Sequence, residues 1–203
     1  MGIAERRERE KESLRQEIID AAREIFVSEG YDKLSMRKVA ERIEYSPTTI
    51  YLYFEDKSAL LREVCEEAFY KLGDAIRKAK KTGRTPLEVL RKGLIGYIEF
   101  GLAHPHHYEV AFISPKDKIF GEGDYEFEGS AGQQAFSLLS ESVAECMASG
   151  DIRKGDVATT AQTIWAGIHG ITSLLIMHEQ FPFVERKKLI NSVVDTTIRG
   201  LVP

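Results

Sequence analysis

Apolar residues recur at spacings of three and four along almost the whole chain, and no useful length of it alternates apolar with polar. That periodicity puts one apolar stripe on each of a series of helices and leaves no half-buried strand, so the fold class is all-α. The first stripe, Leu14, Ile18, Ala21, Ala22, Ile25 and Phe26, predicts a helix over about 7–29, closed by Gly30 in a left-handed cap. Ser35 is placed to cap a short second helix with Met36, Val39, Ala40 and Ile43 inward. Glu44, Tyr45 and Ser46 interrupt. Ser46 then caps a third helix over about 47–53, and Pro47 opens it because a missing N–H costs nothing at the first helical position. Asp56 caps a long fourth helix toward residue 80.

Beyond it, Thr85-Pro86-Leu87-Glu88 is a capping box with proline at its first helical position, and the helix it opens ends near His104-Pro105. A short helical piece follows to about residue 113. Residues 114–129 hold four glycines or prolines and many charges, and read as a loop. Further helices are expected over 130–149, closed by Gly150; over 157–181, from Asp156 to Pro182; and over 185–199. No internal repeat is visible.

At 203 residues the folded chain buries about 70% of the surface its unfolded form exposes, so it needs no covalent staple. Cys65 and Cys146 lie 81 positions apart with no CxxC, which disfavours a zinc site, a redox pair and a disulfide scaffold. The first residues are charged from Glu5 onward, with no apolar stretch of signal-peptide length, so a cytoplasmic protein is expected. Basic side chains number 28 and acidic ones 32, a balance that disfavours a non-specific nucleic-acid coat protein. Residues 157–177 carry no formal charge and are long enough to span a bilayer. Thr159, Thr160, Gln162, Thr163, His169, Thr172 and Ser173 instead fit a helix buried between protein surfaces, and no membrane partner is expected.

Two short helices joined by a three-residue turn and packed on a longer one make a helix-turn-helix, with the second as recognition helix. From Tyr45 to Phe54 there is no charge but there are six hydroxyls. Ile50 and Phe54, four apart, point inward and leave Thr48, Thr49, Tyr51 and Tyr53 for the outer face. Hydroxyls and threonine methyls can meet base edges and thymine methyls, while tyrosine and the N–H groups of a helix start can bind phosphate.

The stretch from Ile18 to Leu61 resembles the N-terminal DNA-binding domain of the TetR (tetracycline-repressor-like) family of transcription regulators. The resemblance rests on Ile25-Phe26, Gly30-Tyr31, Ser35, Arg37 and Val39-Ala40, and most specifically on Thr49-Ile50-Tyr51, Tyr53-Phe54, Lys57 and Leu60-Leu61. The family usually has glycine in the inter-helix turn, where this chain has Glu44, and often valine at Tyr45. A positive φ at Glu44 carries a small strain cost. In the C-terminal half, Trp165-Ala-Gly-Ile-His169-Gly170 resembles the Trp-His-Gly class of TetR-type C-terminal domains, and His104-Pro-His-His-Tyr108 resembles a His/Asn-Pro-x-x-Tyr step of that class.

The resemblance implies a homodimeric regulator, a repressor, with residues 10–57 binding a palindromic double-stranded operator and 58–203 dimerising and sensing a small apolar effector. The implied DNA-binding residues are Ser35, Arg37, Tyr45, Ser46, Pro47, Thr48, Thr49, Tyr51, Tyr53 and Lys57. Lys57 can also be read as a solvated lysine, and Arg37 as the ion-pair partner of Glu41 four residues on. Tyr97, Phe100, Gly101, Tyr108, Phe112, Trp165 and His169 are candidates to line an effector cavity, against the plainer reading of a packed aromatic core. His169 alone is most often a satisfied core histidine.

The cluster His104, His106 and His107 does not converge on one ion from a helix, so no metal and no cofactor is expected. The acidic stretch from Glu122 to Glu128 reads as a solvated loop. No nucleophile elbow, P-loop or HExxH occurs, so the chain is not read as an enzyme. The rival reading is a helical small-molecule-binding or catalytic bundle with a vestigial helix-turn-helix.

Overall fold

The computed structural model describes residues 2–113 and 127–203. The helices among them are α1 (Ile3–Glu29), α2 (Met36–Arg42), α3 (Pro47–Tyr51), α4 (Lys57–Lys80), α5 (Pro86–Ala103), α6 (Pro105–Tyr108), α7 (Ala131–Ser149), α8 (Val157–Met177) and α9 (Arg186–Arg199). A short 3-10 turn, Tyr31–Lys33, and a π turn, Glu109–Ile113, complete them, and the described residues contain no strand. Of the expected loop over 114–129, residues 114–126 lie outside the described residues, as does most of the acidic stretch from Glu122.

By packing, the chain divides into two compact units. The first is built from residues 2–68 and 106–113, the second from 69–105 and 127–203. α4 contributes to both, changing over after Ala68. This division by packing differs from the division by function at residues 57 and 58 read from the sequence.

In the first unit the predicted stripe of α1 is the core. Ile18, Ala22 and Ile25 are fully buried against Val39 and Ala40 of α2, Ile50 of α3 and Leu60, Leu61 and Val64 of α4. Val110 of the π turn joins the same core, and the Cys65 thiol donates to its carbonyl at 3.6 Å. α1 begins at Ile3 rather than near residue 7. The Gly2 N–H donates to Glu5 Oε2 at 3.0 Å, and Arg6 pairs with Glu10 one turn on, so the early turns are supported locally. Gly30 closes α1, but not as a left-handed residue. Its φ of 84° comes with an extended ψ of 172°, a region essentially confined to glycine.

α2 ends in a Schellman turn. The Tyr45 N–H donates to Ala40 O at 2.9 Å and the Glu44 N–H to Glu41 O at 3.4 Å, with Glu44 at φ 60°. Glu44 therefore occupies the position that glycine usually takes. α3 stops at Tyr51, two residues earlier than expected. Leu52 keeps helical angles, but its N–H donates to Thr49 O in a tightened last turn.

In the second unit α5 packs on α7, α8 and α9, and α8 packs on α7 and α9. α5 opens as predicted, with Thr85 Oγ1 accepting the Glu88 N–H at 3.2 Å. The returning bond of the capping box goes one residue back, from the Arg84 N–H to Glu88 Oε2 at 2.9 Å. Gly96 lets α5 approach α4 closely, since a Cβ there would lie 2.8 Å from the Ala79 Cβ. α8 ends at Met177, four residues short of the expected end. Pro182 disfavours helix at Phe181, and the Phe181 N–H turns back to His178 O at 3.0 Å instead. α8 buries Ala161, Ile164, Ile168, Ile171, Thr172 and Leu175 and leaves Gln162, Thr163, Ala166, Gly167, Leu174 and Met177 exposed. Among the described residues no helix is long and apolar enough to cross a membrane.

Candidate functional site

Each of the two short helices of the helix-turn-helix starts on a serine. Ser35 Oγ accepts the Lys38 N–H at 3.2 Å, and Ser46 Oγ accepts the Thr49 N–H at 3.2 Å while lying 2.9 Å from Thr49 Oγ1. A hydroxyl that accepts a cap bond keeps its own proton, so Ser35 can still donate outward. Pro47 and Thr48 are exposed and Thr49 is half-buried. Ile50 and Phe54 face the core as the spacing predicted, and Tyr53 packs partly against it. Tyr45 and Tyr51 are 45% and 55% exposed. The structure thus gathers Tyr45, Pro47, Thr48 and Tyr51 on one uncharged outer surface.

Leu52 belongs there too, at 78% exposed the most open large apolar side chain among the described residues of the unit, and sequence reasoning missed it. The signal was legible: Leu52 lies four residues after Thr48, on the face opposite the buried pair.

The cations nearby are engaged within the unit. Arg37 pairs with Glu41 at 3.0 Å, both side chains well exposed. The Lys57 ammonium donates to Tyr31 O and sits 3.5 Å from the centre of the Tyr31 ring, a cation–π contact. Burial lowers the Lys57 pKa, against the charge of Asp32, which raises it.

In the second unit three of the expected effector residues form one chain of hydrogen bonds. The Trp165 Nε1–H donates to Tyr97 Oη at 3.2 Å, Tyr97 Oη lies 3.2 Å from His169 Nδ1, and His169 Nε2 lies 3.4 Å from Ser173 Oγ. Burial holds the His169 pKa below its ordinary value, favouring neutral imidazole. Tyr97 Oη accepts the indole N–H, and the imidazole tautomer sets which partner donates between Tyr97 and His169 and between His169 and Ser173. The Trp165 and His169 rings are 5.4 Å apart, and Phe136 of α7 meets Trp165 edge-on at 6.0 Å.

Ser173 could have been found four residues after His169. Phe136, on a different helix, carried no such signal. Phe100 and Gly101 are buried on α5, with the Phe100 ring 5.1 Å from that of His104. Tyr108 and Phe112 belong to the first unit, their rings 4.8 Å apart. Among the described residues no three His, Cys, Asp or Glu side chains come together to hold a metal.

Residues 18–64 match the family described as bacterial regulatory proteins, tetR family. Residues 90–197 match the tetracyclin repressor-like C-terminal domain, without reference to the Trp-His-Gly class. The fatty acid metabolism regulator protein of Bacillus subtilis (strain 168) is 25% identical over 91% of this chain and 94% of its own length. A solved structure of a protein with unknown function from Rhodococcus sp. RHA1 superposes with a TM-score of 0.79 at 26% identity, over 94% of this chain and 96% of that one. The transcriptional regulator FadR from Bacillus subtilis, in complex with stearoyl-CoA, shares the fold with a TM-score of 0.74 at 23% identity, over 92% of this chain and 98% of its own. With a serine-capped helix-turn-helix in one matched region and a helical domain in the other, which spans more than half of the sequence, the chain belongs to the TetR family of bacterial regulatory proteins and is a DNA-binding transcription regulator.

Proposed function

We propose that this regulator is a cytoplasmic homodimeric repressor that is not an enzyme, binds a palindromic operator and leaves it when a long-chain acyl compound binds its C-terminal domain. The observation that carries the DNA reading is the uncharged outer face of α3, open to solvent while its inner face fills the core. In this reading Tyr45, Ser46, Pro47, Thr48, Thr49 and Tyr51 meet base edges and the adjoining backbone. Ser35, Arg37, Tyr53 and Lys57 hold phosphates. Arg37 can exchange its exposed partner for a phosphate, and the Lys57 ammonium keeps further N–H donors beyond the one given to Tyr31.

The dimer reading rests on α8 and α9. α8 presents Ala166, Gly167, Leu174 and Met177 to solvent, with Gly170 and Ser173 half-covered beside them. Small and apolar side chains on an uncharged helix face suit close approach of a second copy, and a two-fold interface fits an operator whose half-sites mirror it. On α9, Val193 is half-buried and belongs to this surface, whereas Val194 is fully buried within its own unit.

The effector reading rests on Tyr97, Phe100, Gly101, Trp165 and His169 of the second unit. Aromatic walls with a few polar tips suit an apolar ligand. The similarity to a fatty acid metabolism regulator, and to a fold solved with stearoyl-CoA, supports an acyl chain as its class. Because α4 begins at Lys57 and runs on into the second unit, moving it would shift the recognition helices. The effect is bounded by the ligand's preference for one state.

A gel shift with DNA flanking the protein's own gene tests the first half. Titration with stearoyl-CoA, followed by Trp165 emission and by operator release, tests the second. Failure to bind that DNA or any duplex drawn from a random pool would overturn the regulator reading. Saturation of the Trp165 signal without operator release would overturn the inducer reading alone.

A further inference from the structure

The start of α1 stands apart from the rest of the first unit. The chain is helical from Ile3, yet all residues over 4–13 are exposed and burial begins only at Leu14. These turns continue α1 past the core as a solvent-exposed helical extension. So short a helix would be marginal if isolated, and it persists here as the continuation of a packed one, with Arg6 bonded to Glu10 at 2.7 Å.

Its charges are partly sorted by face. Arg7 and Lys11 are four apart and share one side, which continues at spacings of three and four into Leu14 and Ile18, the stripe that packs on the helix-turn-helix. Glu5, Glu8 and Glu12 recur at the same spacings on another side.

Elsewhere in the unit most cations have partners, Lys33 being an exception among the described residues. Arg15 pairs with Glu63, Arg23 with Asp20 and Glu67, Arg37 with Glu41, Lys38 with Glu29 and Arg42 with Glu24, and Lys57 is held on Tyr31. Among the described residues of the unit, Arg7 and Lys11 have neither an ion pair nor a hydrogen bond from the side chain.

The extension leaves the core beside the recognition helix. The Arg15 guanidinium lies 5.3 Å from the centre of the Phe54 ring, three residues past the end of α3. Lys11 and Arg7 lie one and two turns farther out, about 6 and 12 Å along the axis from Arg15.

We propose that the first turns of α1 are a clamp on the operator's sugar-phosphate backbone, with Arg7 and Lys11 contacting phosphates beside the half-site that α3 reads. The inference rests on the DNA-binding reading and adds to it a second contact surface. Its partner is identified by charge complementarity and by continuity with the helix-turn-helix. Residues 1–60 hold 11 basic and 13 acidic side chains, so unpaired cations here are scarce, and Arg7 and Lys11 are two of them on one helix face. The contact is sequence-independent, because phosphates position a protein and base edges specify its site.

The test uses the full chain and a duplex enriched by the wild type from random-sequence DNA, in long-flank and trimmed forms. Arg7→Gln with Lys11→Gln keeps good helix formers at both positions. It should lower the steepness of log affinity against log salt by about 1.8 per protomer, which is two phosphates at ~0.9 each. The ranking of related duplexes should not change. Trimming the flanks should weaken the wild type and leave this variant unaffected. Arg7→Lys with Lys11→Arg should restore the wild-type slope. Equal slopes and equal dependence on flank length in wild type and the Gln variant would overturn the clamp alone. A wild type that enriches no duplex would overturn the DNA-binding reading and the clamp with it.

Discussion

The two units turn their polar groups in opposite directions. On the helix-turn-helix, Thr48 and Tyr51 face solvent from a helix whose capping bonds Ser46 already supplies, so their remaining hydrogen-bonding capacity points outward. In the second unit Trp165, Tyr97, His169 and Ser173 face one another and close a chain. Both surfaces are rich in aromatic rings and hydroxyls. What separates recognition from internal positioning here is the direction of the unsatisfied proton, and composition does not carry that.

The largest expected effect contrasts two adjacent residues of α9. Val194→Asp would bury an unpaired carboxylate and should remove more than about 4 kcal/mol of stability, abolishing a cooperative melt. Val193→Asp, half-covered on the same helix, should leave the melt cooperative and yield monomers in sedimentation velocity. A cooperative melt for Val194→Asp would show that inward and outward faces had been assigned wrongly.

Removing one tyrosine hydroxyl from each unit sharpens the contrast. Tyr97→Phe takes the acceptor from the Trp165 Nε1–H and the hydroxyl facing His169, and should cost about 1–3 kcal/mol in denaturant unfolding. Tyr51→Phe touches no internal bond and should stay within ~0.5 kcal/mol of wild-type stability while weakening operator binding. If the two changes cost equal stability, the comparison is broken.

Acid should act on the second unit through His169. Its folded pKa is held below 6.5 by burial, so the unfolded chain takes up this proton first as pH falls. The contribution to stability is whole above 6.5 and is lost as pH falls through the depressed folded value. Urea midpoints of wild type should therefore fall more steeply on acidification than those of His169→Gln. Parallel curves would remove His169 as the cause.

The smallest effect returns to the first unit. Glu44 holds a φ of 60°, and Glu44→Gly should relieve that strain at the cost of a freer unfolded chain. The expected gain is below about 1 kcal/mol, read as a small rise in melting temperature with operator affinity unchanged.

The amino-acid sequence by itself determined the helices and most of their ends. Apolar spacing alone assigned Ile18, Ile25, Val39 and Ile50 to the core. The caps at Ser35, Ser46, Asp56, Thr85 and Asp156 all form, because a capping bond spans only three residues. Local signals failed where distant residues decide. Leu52 could be placed on an outer face, but its openness follows from how α3 packs on α2 and turns Ile50 into the shared core. Val193 and Val194 are chemically identical neighbours, and only the packing of α9 on α5 and α8 separates them. Tyr97 and Trp165 stand 68 positions apart, and no periodicity within either helix records that an indole N–H on one meets a hydroxyl on the other. Spacing within a helix is fixed by its own backbone geometry, so a sequence can state it. Pairing between helices depends on the side chains each presents at a shared surface, and that is settled only when the chain has folded.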